Sequence, residues 1–313
     1  MAPASSSAPT GPRLARVDPL ALGFIALAAV LHVAWNILLK TAGDPLRTAT
    51  VGVVAASAAL IPLVVAGWLF LGHPIVPPEA WLLGVVSGLV EVAYFVFLAA
   101  AYRRGDLSVI YPLARGTAPL LAVAVGVLVL GERLPPGAWV GVGLLVAGLL
   151  VVQRPWRLLG AARDRRAGAG FALLAGAMIA TYSSLDSVGV GLTPAWLYAG
   201  ILWPVCGAGL LVVAWLRPRV AGGAFAPVPA VPLDVPRAVL AGFLTFIAYA
   251  FVLAALSRAP LAIVAPLRES AVVLASTWGV LRLREAAGRR EVGMRVAGSM
   301  LVLAGAAGLA VAR

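Results

Sequence analysis

Apolar runs of roughly 20 residues recur along the chain, separated by short stretches rich in Gly, Pro and Arg. They fall near residues 19–40, 48–71, 80–101, 107–130, 136–153, 168–188, 194–216, 237–256, 261–281 and 292–312. A helix rises about 1.5 Å per residue, so a run of this length crosses the roughly 30 Å of a bilayer's hydrocarbon. The pattern predicts an all-α integral membrane protein with ten transmembrane helices. Pro135 and Pro136 suit the first turn of the fifth helix, where a missing N–H costs nothing. Trp68, Trp81, Trp139, Trp196 and Trp215 fall at the ends of runs, where amphipathic rings sit at headgroup level. Residues 1–18, rich in Ala, Ser and Pro, read as a disordered tail. The first run continues past Trp35 to Leu39 without a small-residue cleavage site, so it reads as a retained helix, not a signal peptide.

The polar punctuation repeats. AYFVFLAAAYRRGDLSVIYPL from Ala93 matches AYAFVLAALSRAPLAIVAPL from Ala248, pairing Tyr94 with Tyr249 and Pro112 with Pro266. GVLVLGE ending at Glu132 matches GVLRLRE ending at Glu285. Five crossings per copy is an odd number, so the second copy enters from the opposite side. This predicts two inverted five-helix repeats, residues 19–153 and 168–312, joined by a basic linker at 154–167. Carriers of this architecture place their site near the midplane between the copies. HVAWNILLK in the first helix and YPLARGTAPLLAVAVGVLVLGERL through the fourth give the chain a closer likeness. With the degenerate second copy, it resembles the drug/metabolite transporter superfamily and, within it, the EamA-type ten-helix transporters. The resemblance covers about residues 19–312. It implies a cavity lined by helices 1, 3, 4, 6, 8 and 9, and export of small metabolites or drugs. LRLREAAGRR in the second copy is more basic than the usual ending.

Composition agrees with a lipid solvent: 62% of residues are hydrophobic and 12% are charged, against roughly a quarter charged in soluble domains. The net charge of +12 comes from arginines in the gaps between apolar runs. They read as topology and headgroup signals, so no nucleic-acid partner is expected. Loops after the odd-numbered helices hold 16 Lys and Arg, whereas the termini and other loops hold five. The positive-inside rule then places residues 154–167 in the cytoplasm and both termini outside. The family resemblance implies cytoplasmic termini instead. A lone cysteine, Cys206, permits no intrachain disulfide and reads as a small buried hydrophobe.

Ionisable residues within apolar helices are costly, and each is a functional candidate. Glu91 lies mid-helix 3, Arg115 in helix 4, Asp186 late in helix 6, Arg268 and Glu269 in helix 9, and His32 in helix 1. Counted from Pro112 and Pro266, Arg115 and Glu269 occupy equivalent positions, which predicts a pair across the cavity. The alternative is a static structural bridge. Glu91 aligns with Phe246 and so has no acidic counterpart. It is the candidate for proton exchange, with a permanently neutral hydrogen-bonded carboxyl as the alternative. His32 with Asn36, and Tyr182 with Asp186, lie four apart and share a helix face. They point to substrate or to a neighbouring helix. Trp35, Trp203, Trp278, Tyr94, Tyr111 and Tyr249 offer an aromatic wall for a cationic or amphipathic solute, or plain packing. Pro112, Gly116 and Pro119 in helix 4, and Pro266 in helix 9, are candidate helix breaks that free backbone groups, or simple kinks. Glu132 reads as a helix-end or loop-ordering residue.

Other function classes find little support. An intramembrane protease of the rhomboid kind needs a Ser–His dyad, but the chain has only two histidines, His32 and the loop residue His73. No paired Asp clusters suit magnesium and diphosphate, and no P-loop is present. The reading is a non-enzymatic secondary exporter of a small zwitterionic or amphipathic metabolite or drug, working by alternating access in the cell membrane. Expected partners are a small-molecule substrate, lipid and protons, with no cofactor, no metal and a monomer or homodimer. A non-transporting scaffold or sensor is the rival.

Overall fold

The computed structural model describes residues 18–105, 107–153, 163–217, 231–269 and 288–311. Among them it forms ten helices and no strands. They are α1 (Pro19–Thr41), α2 (Pro45–Phe70), α3 (Pro78–Arg104), α4 (Leu107–Leu128) and α5 (Pro136–Gln153). The others are α6 (Arg163–Leu192), α7 (Ala195–Leu216), α8 (Val235–Leu256), α9 (Leu261–Arg268) and α10 (Arg289–Val311). Seven of these carry segments long and apolar enough to span a bilayer: α1, α2, α3, α6, α7, α8 and α10. The α4 and α5 helices contribute the shorter apolar segments Leu113–Leu128 and Pro136–Val152. The expected tail at 1–17, the linker at 154–162, most of the Pro-rich stretch and the second half of helix 9 lie outside the described residues, as do Trp278 and Glu285.

The helix starts follow local chemistry. Asp18, Asp44 and Asp234 precede α1, α2 and α8, and each side chain accepts a backbone N–H of the first turn. Proline follows within two positions in all three. The α6 helix begins five residues before the expected 168, because no Pro lies between Arg163 and Gly168 to stop it. The α4 helix runs unbroken through positions 112–119, so the expected breaks at Pro112, Gly116 and Pro119 do not end it. A proline removes one N–H and bends a helix without ending it where neighbouring helices support the segment.

Packing joins the two ends of the sequence. The α1 helix packs on α8 and α9, α6 on α3 and α4, α2 on α7 and α8, and α3 on α7. The α4 helix also meets α9, and α5 meets α10. Small residues set the close approaches, as expected where lipid provides no hydrophobic drive between helices. A Cβ at Gly141 would meet Gly305 O at 2.9 Å, and one at Gly148 would meet Gly298 O at 2.6 Å. As one number rises the other falls, so α5 and α10 run antiparallel. Gly200 against Val64 and Gly207 against Ser57 show the same for α2 and α7. The α3 and α7 helices run parallel, with Gly84 on Ile201 and Gly88 on Val205. Trp68, Trp81, Trp139 and Trp215 are exposed near helix ends, whereas Trp35 and Trp203 are buried.

Charges tie the bundle at two places away from its centre. Asp44, in the α1–α2 turn, caps α2, binds Arg217 at the end of α7 at 2.6 Å and lies 3.4 Å from Arg103 at the end of α3. Glu132, after α4, accepts the backbone N–H groups of Leu261 and Ala262 at 2.7 and 2.8 Å. Its carboxylate thus caps α9, whose own N-cap, Pro260, offers no side-chain acceptor. Glu132 therefore orders a helix of the other half of the chain as well as its own loop.

Candidate functional site

Five charged side chains from α3, α4, α6 and the α9 region are withdrawn from both lipid and water. Relative exposure is 4% for Glu91, 3% for Arg115, 0% for Asp186, 2% for Arg268 and 0% for Glu269. In an apolar bundle such groups persist only if they compensate one another. Arg115 Nη1 lies 3.2 Å from Glu269 Oε1, so the two positions equivalent in the sequence repeat form an ion pair. Arg268 Nε approaches the same oxygen at 3.4 Å, and Arg268 Nη1 lies 3.5 Å from the Ser183 hydroxyl on α6. One carboxylate therefore sits between two guanidiniums, and its Oε2 has no hydrogen-bond partner among the described residues.

Asp186 makes a second centre. It accepts the Ser87 hydroxyl from α3 at 2.5 Å, the Tyr198 hydroxyl from α7 at 3.0 Å and the Tyr249 hydroxyl from α8. Three O–H donors from three other helices satisfy most of the carboxylate's acceptor sites. Glu91 is within electrostatic reach of Asp186 and Arg268, and it sits beside the Cys206 thiol of α7. Among the described residues Glu91 Oε2 has no hydrogen-bond partner, and it is buried.

Aromatic rings connect these groups. Tyr94 and Tyr182 meet edge-to-face at 5.7 Å, as do Tyr182 and Tyr249 at 5.4 Å. Trp203 stands 6.5 Å from Tyr249 and 5.6 Å from Phe246, the residue aligned with Glu91. Phe95 links Tyr94, at 5.0 Å, to Trp35, at 6.2 Å. The indole N–H groups of Trp35 and Trp203 are buried without a hydrogen-bond acceptor.

The remaining candidates are placed unevenly. His32 Nδ1 lies 2.7 Å from Ala28 O, within its own helix. Arg115 and Arg268 are within its electrostatic reach. Asn36 donates to His32 O at 2.8 Å and accepts the Tyr102 hydroxyl of α3 at 2.7 Å. It therefore makes the interhelical bond that was one of its two expected roles. Pro266 lies inside α9, two residues before Arg268. Tyr111 and Pro112 belong to α4, with side chains outside the described residues. Among the described residues no group of His, Cys, Asp and Glu is arranged to hold a metal ion. Sequence reading missed Ser87, Ser183, Tyr198 and the polar contact of Cys206. Hydroxyls and thiols are common in membrane helices and carry no mark until a carboxylate stands beside them.

The comparisons with known proteins bear on the fold and the family likeness. Residues 19–154 match the EamA-like transporter family. Over 70 residues the chain is 39% identical to the spermidine export protein MdtI of Salmonella paratyphi B, and equally to that of Salmonella newport. The match covers 22% of this chain and 64% of the exporter, so the chain spans less than two thirds of these relatives. A protein of known crystal structure superposes with a TM-score of 0.66 at 20% identity, covering 93% of this chain and 97% of that one. That likeness concerns the fold alone. The chain is thus a multi-pass membrane protein whose residues 19–154 are similar to the EamA-like transporter family.

Proposed function

We propose that this protein is a secondary transporter that exports a small zwitterionic or amphipathic metabolite, or a drug, by alternating access between two inverted five-helix repeats. The observation that carries the reading is the buried charged centre, assembled from helices of both halves of the chain. A static scaffold gains little from burying three carboxyls and two guanidiniums, because desolvation offsets their attraction. The repeat reading is supported by packing: α2 with α7, and α5 with α10, are pairs of equivalent helices, and each runs antiparallel. The contacts also exchange under the same equivalence, α1–α8 with α6–α3 and α2–α8 with α7–α3. The family match over residues 19–154 and the likeness to spermidine exporters support efflux as the direction.

Coupling to protons is assigned to Glu91. It aligns with Phe246 and so has no acidic or basic counterpart in the repeat, and its Oε2 is open to a proton or a ligand. Purified protein in liposomes tests both parts. With an imposed pH gradient, wild-type protein drives net flux of a transported solute against its concentration. Glu91→Gln keeps the fold by circular dichroism and exchanges solute at raised concentration, but its flux no longer responds to the gradient. An unchanged response removes Glu91 from the mechanism, and no flux or counterflow of any solute refutes the transporter reading.

A further inference from the structure

Each charged centre leaves one carboxylate oxygen without a partner among the described residues, Glu269 Oε2 in one and Glu91 Oε2 in the other, but the centres differ in the charge around it. Around Glu269, Arg268 donates to Glu269 and to Ser183, so that guanidinium is already engaged by the protein. Around Asp186 there are two carboxyls, Glu91 and Asp186, close enough to act on each other. The donors reaching Asp186 are neutral hydroxyls, which solvate a carboxylate without cancelling its charge. Two further groups are left over: the Glu91 Oε2 acceptor and the Trp203 Nε1–H donor, on side chains at most 4% exposed. Buried polar atoms without partners are rare in native proteins and call for a ligand, a water or a functional reason.

We propose that the meeting point of Glu91, Asp186, Tyr94, Tyr182, Tyr249 and Trp203 is a subsite for the protonated amine of the transported solute. The identification of the ligand as cargo rests on the transporter reading; the subsite itself does not. An ammonium group has three N–H donors and a full positive charge. Glu91 Oε2 takes one donor, and Asp186, held as an acceptor by its three hydroxyls, supplies the counter-charge. The four rings give faces that attract a cation electrostatically, and the attraction grows when water is excluded. The free Trp203 N–H asks for an acceptor on the same ligand, such as a hydroxyl or carbonyl near the amine. An anionic group is repelled here by both carboxyls.

Cys206 provides the test. It is the chain's one cysteine, it is buried, and it touches Glu91, so maleimide labelling of the purified full-length protein in detergent reads this site alone. The probes are phenethylamine and 3-phenylpropionate, which share a phenyl-alkyl skeleton and differ in the sign of the head group. At about four times its Kd, phenethylamine slows labelling about fivefold, following simple occupancy, and 3-phenylpropionate does not. Asp186→Asn and Glu91→Gln each weaken phenethylamine protection by about 30-fold or more, because each removes a buried counter-charge. If Asp186→Asn fails to fold, Glu91→Gln with Tyr249→Phe carries the comparison. Equal protection by both probes, no protection by the amine, or unchanged protection in both carboxyl variants overturns the subsite. The liposome assay separates the two readings. Gradient-driven flux of solutes without an amine, unaffected by phenethylamine, sinks the subsite and leaves the transporter. Amine protection without flux of any solute leaves the subsite and sinks the transporter.

Discussion

Glu269 holds two guanidiniums on one oxygen, so its loss costs more than the loss of either arginine. Arg115 Nη1 and Arg268 Nε lie 3.2 and 3.4 Å from Oε1, with Glu269 fully buried. At an effective dielectric constant near 20, each contact is worth about 5 kcal/mol before desolvation is subtracted. Glu269→Gln keeps the shape but leaves two buried guanidiniums facing a neutral amide, which places the net cost at about 3–5 kcal/mol. Arg115→Gln leaves Arg268 on the carboxylate, so it costs about 1.5–3 kcal/mol, the worth of one hydrogen bond to a charged group. The double variant falls short of the sum by about 1–2 kcal/mol, because the two residues share one interaction. The assay is unfolding by SDS in mixed micelles, followed by far-UV circular dichroism, for wild type, both single variants and the double. Equal costs for the two single changes, or strict additivity, refute the reasoning. Transport adds a second reading of the same pair. The swap Arg115→Glu/Glu269→Arg restores part of the flux lost by either single change, and complete failure to restore any argues against direct pairing.

Three further outcomes are expected. Burial alone pushes the Asp44 carboxyl up, but the Arg217 hydrogen bond, the Arg47 amide and the charges of Arg217 and Arg103 outweigh it and hold it below its ordinary 3.8. A depressed acid stabilises the fold above its unfolded value and loses that contribution as pH falls through the folded one. Wild type therefore destabilises below pH 3.8 more steeply than Asp44→Asn in acid-unfolding titrations, and parallel curves contradict the assignment. Glu132→Ala uncaps α9 and costs about 1 kcal/mol in the same SDS assay, with Glu132→Gln milder because one acceptor remains. Gly242→Val opens α2 from α8, since the backbones of Gly52 and Gly242 are in contact and a Cβ at Gly52 would already lie 2.8 Å from Gly242 N. The expected cost is about 1–3 kcal/mol, and a neutral effect would show that the contact is not maintained.

Much of this molecule was legible as sequence because a bilayer is an undemanding reader. Spans of apolar residues, Pro and Gly between them, and the arginine gaps each act over a few turns of one helix, so a one-dimensional string records them. The internal repeat was visible for the same reason, and it aligned Arg115 with Glu269 without knowledge of the fold. The cost of charge in lipid marked Glu91, Asp186 and Arg268. What the string does not carry is which faces meet. Sequence reading left Asn36 open between substrate and a neighbouring helix; packing puts it under the Tyr102 hydroxyl. It read Glu132 as a helix-end or loop-ordering residue, and the fold gives its carboxylate to the start of α9. Ser87 and Tyr198 went unremarked until they converged on Asp186. The glycines of α5 and α10 showed no purpose until their backbones met. By itself, then, the sequence determined that the chain forms apolar helices able to span a bilayer and which residues are too polar to face lipid, since both follow from the free energy of a single helix in hydrocarbon. Only the tertiary structure decided that two guanidiniums share one carboxylate and that Asp186 is held by hydroxyls from three helices. Those are properties of distances across the bundle, and distance between helices is what a linear pattern does not record.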